Sequence, residues 1–151
     1  MERLERDFLF RKIVVAYNES PESRRALQSA IELAKSVNAE LQTVTVKADL
    51  PAYTAFAAVD SSLVETLNED HMAAYESLQT SALALAASRG VELRGHLIDG
   101  RSVESILHFL RTHEADLLVI GLHPRSSHTA RLWSTVYELA QDAPCSVLGV
   151  H

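Results

Sequence analysis

The chain has 151 residues, 47% hydrophobic and 23% charged, with a formal net charge of -6 at pH 7. That length suits a single domain, whose folding buries roughly 70% of the unfolded chain's surface, and the composition excludes a disordered or collagen-like chain. The acidic balance excludes a broad basic surface for nucleic acid, but leaves room for a local anion site made of a few N–H groups and one or two cations.

Residues 1–10 mix charges with Leu4, Phe8, Leu9 and Phe10 and contain no long apolar stretch or small-residue cleavage site. They read as an N-terminal extension to a domain spanning 11–151, with neither signal peptide nor membrane span, and the expected compartment is the cytoplasm. The unalternating apolar run Ile13-Val14-Val15-Ala16 predicts a strand buried on both faces of a parallel sheet. Ser20 and Pro21 then give an N-cap followed by proline at the first helical position. Ala26, Ala30, Leu33 and Val37, joined by Leu27, Ile31 and Ala34, predict an amphipathic helix over 21–36.

Glu40 to Val46 sets Leu41, Val44 and Val46 among polar neighbours and predicts the second strand, which Asp49-Leu50-Pro51 stops. A loop with Tyr53, Phe56 and Val59 follows. Leu63 to Arg89 contains no Gly or Pro, and Leu67, Ala74, Leu78, Ala82, Leu85 and Ala86 form a stripe facing the core rather than a partner. Gly90 supplies a left-handed C-cap. Val91, Leu93, Gly95 and Leu97 predict a third strand ending at Asp99-Gly100, after which Ser102 is the expected cap of a helix with Val103, Ile106, Leu107 and Leu110 inward.

Asp116 to Gly121 is the most hydrophobic strand and is expected at the sheet centre. Leu122 to His128 is a polar loop, Thr129 to Gln141 the last helix, and Cys145 to Val150 the fifth strand. Strands alternating with helices imply right-handed crossovers and a three-layer α/β fold, a parallel sheet with helices on both faces. Ligands in such sheets bind beyond the carboxyl ends of the strands at a topological switch point, which directs attention to Tyr17-Asn18-Glu19 and Gly121 to His128.

Four stretches carry a family resemblance in a fixed order. They are Lys12 to Ala16 followed by Ser20, Ser23 and Ala26-Leu27; Gly90-Val91-Glu92-Leu93 through Gly100; Ala115 to Gly121; and Pro144 to Leu148. Together they make the chain, over 12–150, resemble the universal stress proteins of the UspA type. The resemblance implies a five-stranded parallel sheet of the adenine nucleotide alpha hydrolase-like fold. It also implies a homodimer through the last strand, here Ser146, Val147, Leu148 and Val150.

That family divides into ATP binders and non-binders. In the binders a Gly-x-x-Gly, nine further residues and Gly-Ser or Gly-Thr wrap the phosphates, while an Asp after the first strand meets the nucleoside. Here Gly121 matches the first glycine, Pro124 occupies the second, Ser134-Thr135 replaces the closing pair, Asn18 replaces the Asp and Glu19 a small residue. Proline removes an N–H donor and fixes φ, and Glu19 sets a negative charge near the pocket. Arg125, Ser126, Ser127, His128 and Arg131 offer side-chain anion ligands instead. The nucleotide contacts implied by the resemblance, for ATP or AMP with Mg, are Ala16, Tyr17, Asn18, Val46, Gly121, His123, Arg125, Ser126, Ser134, Thr135 and Val136.

Other constellations fall away. His108 and His113 are five apart on a helix and project from different faces, and His123 and His128 share a loop without further ligands, so no metal site is expected. Ser126, Ser127 and Ser134 lack a Gly-x-Ser-x-Gly elbow and read as cap and turn residues. Cys145, the single cysteine, lies between Pro144 and Ser146 without metal-ligand spacing and reads as a structural thiol. A receiver-type reading fails because Tyr17-Asn18-Glu19 supplies only one acid. The leading expectation is a non-enzymatic, homodimeric regulatory or stress-response module with a degenerate nucleotide pocket and an unidentified protein partner. The alternative is an ATP/AMP-binding stress sensor using the Gly121 to Val136 loop. A weak nucleotide hydrolase would need a metal-binding acid, for which only Glu19 offers itself.

Overall fold

A computed structural model describes residues 10–47, 61–122 and 130–151, and their side chains except at 61–71, 102 and 130–135. The elements run β1 (Lys12–Ala16), α1 (Pro21–Val37), β2 (Glu40–Lys47), α2 (Ser61–Ser88), β3 (Leu93–Asp99), α3 (Ser102–Thr112), β4 (Leu117–Gly121), α4 (Ala130–Asp142) and β5 (Ser146–Val150). All pairings are parallel and the strand order is β3-β2-β1-β4-β5. The chain winds outward from β1 through β2 to β3, then returns to β4 on the other side. The switch point therefore lies between β1 and β4.

Two cores follow from the alternation of side chains along the strands. Ile13 and Val15 on β1 and Leu117 and Val119 on β4 pack beneath α1 and α2 against Ala26, Ala30, Ile31, Ala82 and Ala86. Val14, Val44, Leu118 and Ile120 point the other way, beneath α3 and α4, onto Ile106, Leu107, Phe109, Leu110 and Leu139. β1 is central and buried on both faces, as its unalternating sequence demands. β4 is not the central strand but the one beside it, since β1 and β5 flank it. Its hydrophobicity reports burial on two faces, which every interior strand shares.

The polar residues of β2 are also interior. Gln42, Thr43 and Thr45 are buried together with Leu41 and Val44, because β2 lies between β1 and β3 under helices on both sides. α1 begins as expected, with Ser20 Oγ accepting from Ser23 N at 3.2 Å, and ends on Asn38 in the left-handed region. Gly90, at φ +74°, follows the long α2 in the same left-handed conformation. Ser102 is the first residue of α3 rather than its cap. The N-cap is Arg101, with no side-chain cap bond, and Ser105 Oγ reaches back to the Asp99 carbonyl at 3.2 Å. No helix among the described residues is long and apolar enough to cross a membrane.

Candidate functional site

The loop after β1 is held by a compact set of hydrogen bonds. Tyr17 N donates to the Val44 carbonyl at 3.0 Å, and the Tyr17 carbonyl accepts from Thr45 Oγ1 at 2.8 Å, so the start of the loop is pinned to β2. Asn18 Oδ1 accepts from Ser20 N at 2.9 Å, a turn that Asn side chains form readily. The buried Ser23 hydroxyl closes the loop from below, accepting from Asn18 N at 2.8 Å and donating to the Asn18 carbonyl at 3.0 Å.

These bonds decide what the start of α1 can do. A helix N-terminus attracts anions through its unpaired N–H groups. In α1, Pro21 has no N–H, Ser23 N is taken by Ser20 Oγ, and Arg24 N by the Ser20 carbonyl at 3.2 Å. Three first-turn positions thus present nothing to a phosphate, and the loop serves to shape a wall.

That wall borders a groove of about 1020 Å³ at the carboxyl ends of β1 and β2. Tyr17, Asn18, Glu19 and Ser20 with Arg24 form one side, Thr45 and Val46 the floor, and Ala74, Tyr75, Ser77, Leu78 and Ser81 of α2 the other side. Tyr17, Val46 and Leu78 make its depth apolar, while Glu19 and Arg24 bring opposite charges to the rim. Concave sites that combine apolar surface with polar groups able to fix a ligand's orientation are typical of small-molecule binding.

Gly121 adjoins this loop from beneath. A Cβ there would sit 2.5 Å from the Glu22 carbonyl oxygen and 2.7 Å from Ser23 N, so the end of β4 passes directly under the first turn of α1. The glycine is therefore required for a backbone-to-backbone approach inside the protein.

Of the residues marked by the sequence, the structure brings Tyr17, Asn18 and Val46 into the groove. Ala16 ends β1 and packs on the α3 side, as does the half-buried Val136. Ser134 and Thr135 lie on α4, and His123, Arg125, Ser126 and Pro124 fall outside the described residues. Arg24, Thr45 and the α2 wall were not anticipated. Ala74, Ser77 and Ser81 share one helical face by their spacing, and that row of small residues was the available signal. Among the described residues no group of three or more His, Cys, Asp or Glu can hold a metal ion. His108 is exposed beside Thr112, whereas His113 turns inward onto Phe109. Burial pushes the Cys145 thiol above its ordinary pKa, which keeps it protonated.

A five-stranded parallel sheet with helices on both faces and a groove at its carboxyl edge defines an α/β domain of the three-layer class. The sequence profile of the Universal stress protein family matches residues 9–151, and the chain belongs to that family. A universal stress protein of Methanocaldococcus jannaschii is 28% identical over 145 residues, covering 94% of this chain and 82% of that protein. The structure of UspA from Lactobacillus plantarum superimposes with a TM-score of 0.74 at 23% identity, covering 95% of this chain and 99% of that one. A universal stress protein solved in complex with cAMP gives a TM-score of 0.68 at 21% identity, covering 95% and 98%.

Proposed function

We propose that this chain is a homodimeric, non-enzymatic stress-response module that takes an adenosine monophosphate-type ligand in the groove and acts on a protein partner in the cytoplasm. The observation that carries the reading is the groove itself, placed at the carboxyl ends of β1 and β2 with an apolar depth and a mixed rim. Fold relatives solved with cAMP, with dAMP and with AMP support a nucleotide of that size at the level of fold. A monophosphate suits the groove better than Mg-ATP. Glu19 stands at the rim, and in the first turn of α1 Pro21 has no N–H while Ser23 N and Arg24 N are already bonded to Ser20. A binding role suits it better than a catalytic one, because Asn18, Ser20, Ser23 and Thr45 are committed to holding the backbone.

Dimerisation through β5 is favoured by the character of the two sheet edges. β5 carries no charged residue, and its Leu148 is 39% exposed. β3, the other edge, carries Arg94, His96 and Asp99, and charged side chains discourage edge pairing. Titration calorimetry with AMP, cAMP and Mg-ATP tests the ligand. Heat is expected with a monophosphate and weaker binding with Mg-ATP, and no heat from any of the three at millimolar concentration removes the nucleotide from the proposal. Ala74→Trp, at an exposed position on the α2 wall, should fill the groove and abolish that heat while leaving the fold intact.

A further inference from the structure

Away from the groove, one side-chain cluster joins the end of α3 to the outermost strand. His96 on β3 is half-buried and donates from Nε2 to Oε1 of the buried Gln42 on β2 at 2.9 Å. Its ring lies 4.9 Å from that of Phe109 at an interplanar angle of 59°, and 5.1 Å from that of His113 at 60°. Phe109 and His113 are stacked at 3.8 Å and 21°. His113 is the C-cap residue of α3 and donates from Nδ1 to the Phe109 carbonyl at 3.0 Å. These contacts tie the last turn of α3 to a strand that, among the described residues, has a neighbour on one side only.

The charges bearing on His96 are of one sign. α3 presents Phe109 and His113, β2 presents the neutral Gln42, and β3 itself contributes Arg94. No acid forms an ion pair with His96 among the described residues. Burial, then His113, then Arg94 lower its pKa from the ordinary value near 6.5. A charge on His96 would keep Gln42 Oε1 as an acceptor and Phe109 as a neighbour, but it is opposed by partial burial and by the cationic groups of His113 and Arg94.

We propose that the His96–Phe109–His113 stack is an acid-sensitive latch: neutral His96 clamps the end of α3 to edge strand β3, and its protonation beside His113 drives the two apart. The exit is short. α3 ends at Thr112, one residue before His113, and Glu114 already turns the chain at φ +53°. A C-terminal turn and an edge strand are the kinds of element that open locally before a core does. Folded His96 binds a proton less readily than it does in the unfolded chain. The stability it contributes is therefore complete above about pH 6.5, and is lost as the pH falls from there through its lowered folded value.

The test is an NMR titration of the histidine ring protons in the full chain, paired with amide hydrogen exchange between pH 7.5 and 5. His96 should titrate below 6.5, and His113→Asn should raise its midpoint by removing the neighbouring charge. Exchange at 93–99 and 109–113, corrected for intrinsic rate, should accelerate by up to about tenfold per pH unit below 6.5, because opening takes up one proton. His96→Gln keeps a donor for Gln42 without titrating in this range and should abolish the acceleration. Should that variant fail to fold, His113→Phe keeps the stack, removes the charge and should blunt the response. The latch is refuted by a His96 midpoint indifferent to His113→Asn, or by acid-driven exchange that persists in both variants or spreads evenly over all five strands.

Discussion

A methyl group at Gly121 would be driven into the main chain of Glu22 and Ser23, and neither can retreat without lifting the first turn of α1. Gly121→Ala should therefore destabilise the fold by about 1–3 kcal/mol, the usual cost of forcing extra volume into a packed site, in a urea titration. An unchanged midpoint would show that α1 yields freely. Ser20→Ala removes one capping bond from the same turn and should cost about 1 kcal/mol. At Cys145 burial raises the thiol pKa, so alkylation by iodoacetamide at pH 7.5 should run slower than for glutathione, and equal rates would contradict the burial. The role of Gly121 was half legible in the sequence. A glycine that admits a phosphate and one that admits a helix turn meet the same requirement, the absence of Cβ, and only the neighbours tell them apart.

Among the elements, β1 and β4 are joined at their starts by one carboxylate. Asp116 Oδ2 accepts from Arg11 N at 3.0 Å and Lys12 N at 2.9 Å, and Asp116 N donates to the Lys12 carbonyl at 2.9 Å. Asp116→Ala should lose about 1.5–3 kcal/mol, the range for hydrogen bonds to a charged group, while Asp116→Asn should retain part of it. Equal losses for the two would mean that the acceptor oxygen is not what matters. The succession of elements was legible because apolar runs and helical spacing are local properties: Ile13 to Ala16, the Ser20-Pro21 start and the Gly90 stop each stand where the residues put them. Position within the sheet was not. Thr43 and Thr45 look like the solvent side of a half-buried strand, and only the helix packing above an interior strand, with Gln79 of α2 on Thr45, buries them. The cap of α3 was misplaced by one residue, since the backbone turns helical at Ser102 and Arg101 stands at the N-cap. The site was legible from topology at Tyr17 and Asn18, in the loop after β1, and through the family resemblance at Val46, but not on α2, whose wall is brought in by tertiary packing.

For the whole molecule, the two sheet edges matter most. Leu122 N donates to the Val150 carbonyl at 2.7 Å, and Val150 pairs with Gly121. Alternation along a parallel ladder then aims the main-chain groups of Ser146, Leu148 and Val150 at β4, and those of Val147 and Gly149 outward. Val147→Pro should accordingly weaken self-association while leaving the β4–β5 pairing in place. Sedimentation velocity should show a shift toward monomer, and an unaltered distribution would argue against this edge. A pair closed through β5 has ten strands, and both outer rims are β3. The subunits would then face the solvent with the two strands that carry Arg94 and His96, set as far apart as the sheet allows. Growth past the pair would have to begin at those rims, and acid, by charging them further, would hold the assembly at two.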